Sequence, residues 1–446
     1  MKMQTLLKRM ALALAPIAAL AGIQPASAQV EVDVVGGISA PMPIAVPAMP
    51  TSSPVNTAAG NTVELGKQLS QVITNDLKNS GLFRPLGPDL LRPVSFDQVT
   101  APAFSYWNTT GAQSLVQGYV RANGDGTLTV GCYLYDVFAQ NELTRQGFVV
   151  QPADWRRAAH KCADTVYTRL TGEGPYFDSR IVYISETGPK GRRIKRLAIM
   201  DQDGANHRFL TNGQSIVLTP RFTPNQQTIV YMSYENERPS IYAYDLNTGR
   251  SRRLVSSEHL AFAPHVSPDN RWVVFTMSTG GNADLYRVSM SGGTPQRLTS
   301  APGIDTGGSF SPDGSQIVFE SDRSGTQQIY VMNADGSNQH RISFGGGRYA
   351  TPVWSPRGDL IAFTKITGNF RIGVMSPSGG GEKILTEGWG DEGPSWSPNG
   401  RVITFFRNAR GAGNAEIWSV DLTGVNERHI PTPLGGSDPN WGPLRP

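Results

Sequence analysis

Cysteine is almost absent: Cys132 and Cys162 are the only two in 446 residues. Two cysteines exclude a disulfide-dense scaffold, and the lack of a CxxC pair excludes the common structural zinc motifs. In an oxidising compartment the two can pair. As reduced residues they would be small core side chains. The sequence leaves that choice open. Charge is also sparse, with 17% charged residues and a formal net charge of +4. Three of those positive charges are Lys2, Lys8 and Arg9, so the remainder of the chain is nearly neutral. A basic nucleic-acid footprint is therefore not expected.

Catalytic and metal words are missing too. There is no G-x-S-x-G elbow, no HExxH and no P-loop. DQDG at 201 and NADG at 333 begin like calcium loops but lack the distant glutamate. They are expected to be hairpin turns. Only six histidines occur. His207, His340 and His429 fall at equivalent turns of a repeat, which spreads them apart. His160 lies among charged neighbours in a predicted helix and is expected at the surface. His259 and His265 share one stretch with no carboxylate pair nearby. No catalytic residue, cofactor or metal is expected.

Long apolar runs are confined to the N-terminus. Met1–Ala28 has a basic start, the run LALAPIAALAGI and a small-x-small end at Ala26-Ser27-Ala28. This pattern is a secretory signal peptide. The run is too short for the ~20 residues of a membrane span. Gln29 follows the cut, where a lipoprotein would need cysteine. An exported chain without direct membrane insertion is expected.

Glycine (49) and proline (32), by contrast, are abundant. With low charge, this suits an all-β protein rich in tight turns. The word FSPDGSQIVFESD at Phe310 recurs with variations. Its prolines are Pro224, Pro268, Pro312, Pro356, Pro398 and Pro443, at intervals of 44, 44, 44, 42 and 45 residues. An apolar strand follows each turn, and two further strands follow that. Together with the strand before the turn, each unit has four strands. Four-stranded units of ~40–45 residues mark β-propeller blades. Ile181 begins an apolar strand with no such turn before it, and the word at Trp441 has no strand after it. The C-terminal strand is therefore expected to complete the blade begun at Arg180. That closes a ring of six and removes open edges. The turn chemistry itself is structural: serine at i, proline at i+1 and glycine at i+3 suit a type I turn. The preceding aromatic is expected to pack between blades.

Before the ring, residues 38–175 read as a small α/β domain. Apolar positions 65, 69, 72, 73 and 77 have helical spacing, and a second helix is expected over 153–172. PMPIAVPAM is expected to carry a short strand. QSLVQGYV, TLTVGCYLYDVF and TRQGFVVQ read as three more. The fold class is thus a small α/β domain followed, over 176–446, by a six-bladed all-β propeller. The loops that enter the innermost strands are longer and richer in Gly, Asp, His and aromatics than other turns. They include SSEHLAFAP, SAPGIDTGGS, FGGGRYATP and TEGWGDEGPS. They are expected to gather at one end of the channel as a docking face. Upstream, QVEVDVV (29–35) alternates in polarity and suits addition to another protein's sheet.

The export signal, the new start before EVDVVGG, the α/β domain, six W/F-S-P-D/N-G repeats and RLTGEG (169–174) together resemble the TolB family. That family is the periplasmic component of the Tol–Pal system of Gram-negative bacteria. The resemblance covers the whole chain after residue 28. It implies a non-enzymatic, monomeric periplasmic protein. The partners implied are Pal, the peptidoglycan-associated outer-membrane lipoprotein, and TolA, anchored in the inner membrane. By position, the Pal-binding face would include His259, Thr306, Tyr349, Asp391 and Glu392. The TolA-binding segment would comprise Gln29, Val30, Glu31, Val32, Asp33, Val34 and Val35, within a stretch ending near Gly37. The implied role is outer-membrane integrity and invagination during cell division. Two other classes share the architecture: a lectin-like ligand-binding propeller and a propeller attached to a hydrolase. The second needs a nucleophile elbow, which is missing.

Overall fold

A computed structural model describes residues 40–446, apart from 190, 236, 256 and 409–412. The leader and the segment from Gln29 to Gly37 lie outside the described residues.

The first domain is a five-stranded sheet with the order Phe83–Leu86, Met42–Ala45, Ser114–Ala122, Leu128–Asp136, Asn141–Val150. Met42–Ala45 runs parallel to both of its neighbours; the last three strands form an antiparallel meander. Two long helices, Thr62–Asn79 and Trp155–Thr171, share a core with one face. The first is capped by Asn61, whose side chain accepts from the Val63 amide at 3.0 Å. The second ends at Gly172, with φ of 70°. That left-handed position is the reason for glycine there. A short helix, Phe104–Thr109, places Trp107 against the other face. The open question about the cysteines is answered: Cys132 on the sheet and Cys162 on the second long helix form a disulfide.

Six four-stranded sheets follow. Their innermost strands are Val217–Phe222, Leu260–Val266, Asp305–Phe310, Arg348–Trp354, Asp391–Trp396 and Gly435–Leu444. The last of these pairs antiparallel with Ser179–Thr187, so the C-terminal strand completes the first blade as expected. The repeated word is a turn in every blade where it is intact. In the fourth blade the Gly314 amide donates to the Ser311 carbonyl at 2.9 Å. The Ser311 hydroxyl donates to Asp313 at 2.5 Å and accepts from the Gln316 amide at 3.0 Å. The same serine arrangement recurs at Ser267 and Ser397. The aromatics Phe310, Trp354, Trp396 and Trp441 are buried in the cores between elements.

Each innermost strand also slips register midway. The slipped residues are Thr219, Ala263, Gly307, Thr351, Gly393 and Asp438, with φ between 48° and 67°. Five of the six are followed by proline, which a bulge tolerates because its amide leaves the ladder. The bulge separates residues that serve one mouth of the channel from residues that serve the other.

The two domains share one continuous hydrophobic core. Helix residues such as Leu69, Val166 and Leu170 join Tyr176, Phe177, Ile417 and Trp441 of the propeller. Polar contacts reinforce the seam. Asp164 accepts from the amides of Tyr176, Phe177 and Asp178 at 2.7, 2.8 and 3.0 Å. Glu173, in the RLTGEG stretch, accepts from Arg357 at 2.8 Å and also pairs with Arg401. One expectation is corrected here: His160 is not at the surface. It is 1% exposed, with its Nδ1 2.6 Å from Asp76 of the first helix. Asp76 also accepts from Gln202 of the first blade at 2.8 Å. The charged neighbours that suggested exposure are the partners that allow burial.

Candidate docking face

The loops entering the innermost strands gather at one end of the ring. A cavity of ≈ 1300 Å³ opens there, lined by side chains that include Arg193, Lys195, Leu218, Trp389, Glu392 and Asp438. Ile216, Leu260 and Ile304 hold the same repeat position in three adjacent blades, just where the innermost strand begins. They are 47%, 46% and 48% exposed. Trp389 is 45% exposed on the opposite arc. Large apolar side chains displayed together around a concavity are a feature of interaction sites.

The five positions from the sequence separate into two groups. Asp391 and Tyr349 share one repeat position, together with Asp305. All three are fully buried. Arg407 holds Asp391 through two hydrogen bonds, at 2.6 and 2.9 Å, and Arg323 holds Asp305 at 2.6 Å. Tyr349 donates to Glu382 at 2.6 Å, and the Lys365 ammonium lies 3.6 Å from its ring centroid. These residues brace the strands from behind. Thr306 and Glu392 hold the next repeat position, and the alternation of a strand turns them the other way. Thr306 accepts from the Thr276 hydroxyl at 2.9 Å. Glu392 lines the cavity and accepts from Asn408 at 2.8 Å. Burial, followed by the nearby Asp438, pushes its carboxyl above the usual range. His259 is exposed on the loop before Leu260, its amide donating to Ser257 at 3.0 Å. The structure thus brings Glu392 to the cavity, sets Thr306 at the equivalent position of another blade and His259 on an entering loop, and withdraws Tyr349 and Asp391 into the scaffold.

The basic lip was not anticipated. Glu186 is buried between Lys195, at 2.5 Å, and Arg193. Burial alone would raise its carboxyl; hydrogen bonds from Lys195, Ser437 and Arg193 outweigh this and hold it low. Arg193 also donates to the Gly413 carbonyl at 3.2 Å, tying the first blade to the sixth. Deeper in the channel, burial and Arg221 push His265 down to about 3. At the base of the ring, prolines and aromatics of the repeated turns surround a smaller cavity of ≈ 310 Å³.

Among the described residues, one cluster has metal-ligand geometry: Asp76, His160 and Asp203, with ligand atoms within 4.8 Å. Both carboxylates and the imidazole Nδ1 are already engaged. Arg156 pairs with Asp203, and His160 and Gln202 occupy Asp76. The arrangement is an ion-pair network at the domain seam. No helix among the described residues is long and apolar enough to cross a membrane.

An α/β domain locked by a shared core to a six-bladed ring, with an apolar-rimmed cavity at one mouth, defines a two-domain β-propeller protein. Family profiles agree with both parts: residues 30–143 match the TolB amino-terminal domain and residues 167–445 the TolB beta propeller domain. The chain is 78% identical over 415 residues to the Tol-Pal system protein TolB of Zymomonas mobilis subsp. mobilis, covering 93% of this chain and 91% of that one. It is 75% identical over 438 residues to the protein of the same name from Rhizorhabdus wittichii, covering 98% and 99%. The crystal structure of TolB from Acinetobacter baumannii superposes with a TM-score of 0.78 at 28% identity, covering 93% of this chain and all of that one. The chain belongs to the TolB family and so to the Tol–Pal system.

Proposed function

We propose that the protein is a non-enzymatic periplasmic connector that docks Pal on the cavity mouth and TolA on the segment Gln29–Val35. The observation that carries the first half is a cavity lined by exposed Ile216 and Trp389 together with Glu392, with Leu260 and Ile304 exposed at the repeat position of Ile216 in the next two blades. A partner loop entering this mouth buries apolar area at the rim and meets fixed charge inside, the usual division of labour in an interface. The expected contacts are His259, Thr306 and Glu392, with Tyr349 and Asp391 holding the strands that present them. The second half rests on the alternating sequence of residues 29–35, which suits strand addition. The two sites would communicate if the N-terminal segment docks on its own protein in one state and is free in another. A partner with different affinity for the two states then shifts their balance.

The test is a deletion of residues 29–37 in the exported chain, followed by calorimetric titration with purified TolA and Pal. Loss of TolA binding with Pal binding retained is the expected result. Undiminished TolA affinity overturns the N-terminal assignment. Failure of the intact protein to bind immobilised Pal overturns the docking assignment and favours a small-ligand propeller.

A further inference from the structure

Arg180 is the second residue of the strand Ser179–Thr187, at the ring's closure. The ladders align Ile181 with Ile229, Val273, Ile317, Ile361 and Ile403. The residues equivalent to Arg180 are therefore Thr228, Trp272, Gln316, Leu360 and Val402. Only the first blade places a charge here. That charge is part-buried, and its Nε is fully buried with no hydrogen-bond partner among the described residues. Its guanidinium carbon lies 5.7 Å from the centroid of the Phe222 ring, so an apolar wall closes one side.

More positive charge surrounds it. Arg180 pairs in register with Asp201, and Arg208 pairs with Ile199 on the other side of the same strand. Positions 199 and 201 share a sheet face, so Arg180 and Arg208 flank that strand diagonally on one face. Arg208 is exposed and makes no ion pair among the described residues. Arg445 and Arg157 also act on Arg180. Arg157 is matched by Asp178 at 3.1 Å. Arg445 lies 3.8 Å from Asp154 and 3.7 Å from Asp201. Among these neighbours the carboxylate is that of Asp201. It accepts from Asn206 at 2.6 Å and is 3.8 Å from Arg156, so it is shared among several donors. Burial, then the like charges of Arg445 and Arg208, pull the guanidinium down to about 10.

A part-buried guanidinium whose neighbouring carboxylate is shared with other cations is costly, and its orphaned Nε points to an acceptor that completes it. Planar forked donors match the oxygens of tetrahedral oxyanions. We infer that Arg180 and Arg208 form a binding site for an oxyanion of the phosphate class, at the base of the first blade beside Phe222. The site is remote from the cavity mouth and does not depend on the docking proposal.

The test is thermal unfolding and calorimetric titration of the full exported chain with inorganic phosphate, against chloride at matched ionic strength and against acetate. Saturable stabilisation by phosphate beyond chloride is expected. Arg180→Gln should weaken phosphate binding by about tenfold or more, as loss of a charge-assisted pair does. Without phosphate it should unfold no earlier than the parent, because the charge it removes is only partly compensated. Arg208→Gln, on an exposed strand, should weaken binding several-fold and provides the reading if the first variant misfolds. Equal effects of phosphate and chloride overturn the site. So does an Arg180→Gln protein that binds phosphate as the parent does. Acetate binding as tightly as phosphate overturns the phosphate assignment.

Discussion

The indole N–H of Trp441 donates to the Ser179 hydroxyl at 2.8 Å, across 262 positions of sequence. The same tryptophan is buried in the core that joins the propeller to the α/β domain. Its amide donates to Ser395 of the sixth blade at 2.9 Å. One residue therefore ties the ring's last strand to its first blade, to its neighbour and to the other domain. Trp441→Ala should cost about 3–5 kcal/mol, the range for truncating a buried aromatic. Urea unfolding measures this. A loss under about 1 kcal/mol would show that closure does not depend on the tryptophan.

The His160–Asp76 pair makes a pH-dependent prediction. Burial opposes a charge on His160, but the Asp76 carboxylate 2.6 Å away outweighs it and raises the imidazole to about 9. A folded value above the unfolded one, near 6.5, stabilises the native state most below about pH 6.5. That contribution is lost as pH rises through about 9. His160→Asn should therefore be much less stable than the parent at pH 6, by about 3–5 kcal/mol for breaking a buried pair. The gap should narrow at pH 9.5. Unfolding curves at the two pH values check it; a constant gap would assign the loss to packing instead.

The Cys132–Cys162 bond joins the central sheet of the α/β domain to its second long helix, over a separation of 30 residues. Closing a loop of that size stabilises by about 3–4 kcal/mol in the chain-entropy view. The Cys132→Ala/Cys162→Ala double variant should unfold at a correspondingly lower urea concentration. A reducing agent should destabilise the parent and leave the variant unchanged, which separates the bond from the side chains.

The ring was legible because its information is periodic. Pro224 through Pro443 set the blade count and phase, and the unmatched strand at Ile181 located the closure. His160 was misread because its partners, Asp76 and Gln202, are distant in sequence, and nothing local distinguishes a paired buried histidine from an exposed one. The bulges at Thr219, Ala263, Thr351 and Asp438 were also invisible. Non-glycine residues adopt positive φ there, and tertiary pairing, not local preference, holds them. The apolar crown did have a signal. Ile216, Leu260 and Ile304 are 44 residues apart, but composition drew attention to the Gly, Asp and His around them instead.

Adjacent residues Asp391 and Glu392 offer the sharpest division between scaffold and site. Asp391 is fully buried and held by both arms of Arg407, which also bonds Glu427 at 2.8 Å. Asp391→Asn leaves a part-buried guanidinium with weaker acceptors and should lower stability by about 2–4 kcal/mol. Any loss of Pal affinity should follow that loss of fold. Glu392 faces the cavity and has one neutral partner, Asn408. Burial already disfavours its charge, so Glu392→Gln should leave the unfolding midpoint within about 0.5 kcal/mol of the parent. If the cavity receives Pal, that same variant should weaken binding by about tenfold, since a charge inside an interface counts for more than one at the rim. Measuring both quantities on both variants decides the matter. A Glu392→Gln protein with parental affinity would move the contact to the apolar crown, where Leu260→Ser and Ile304→Ser would then carry the loss.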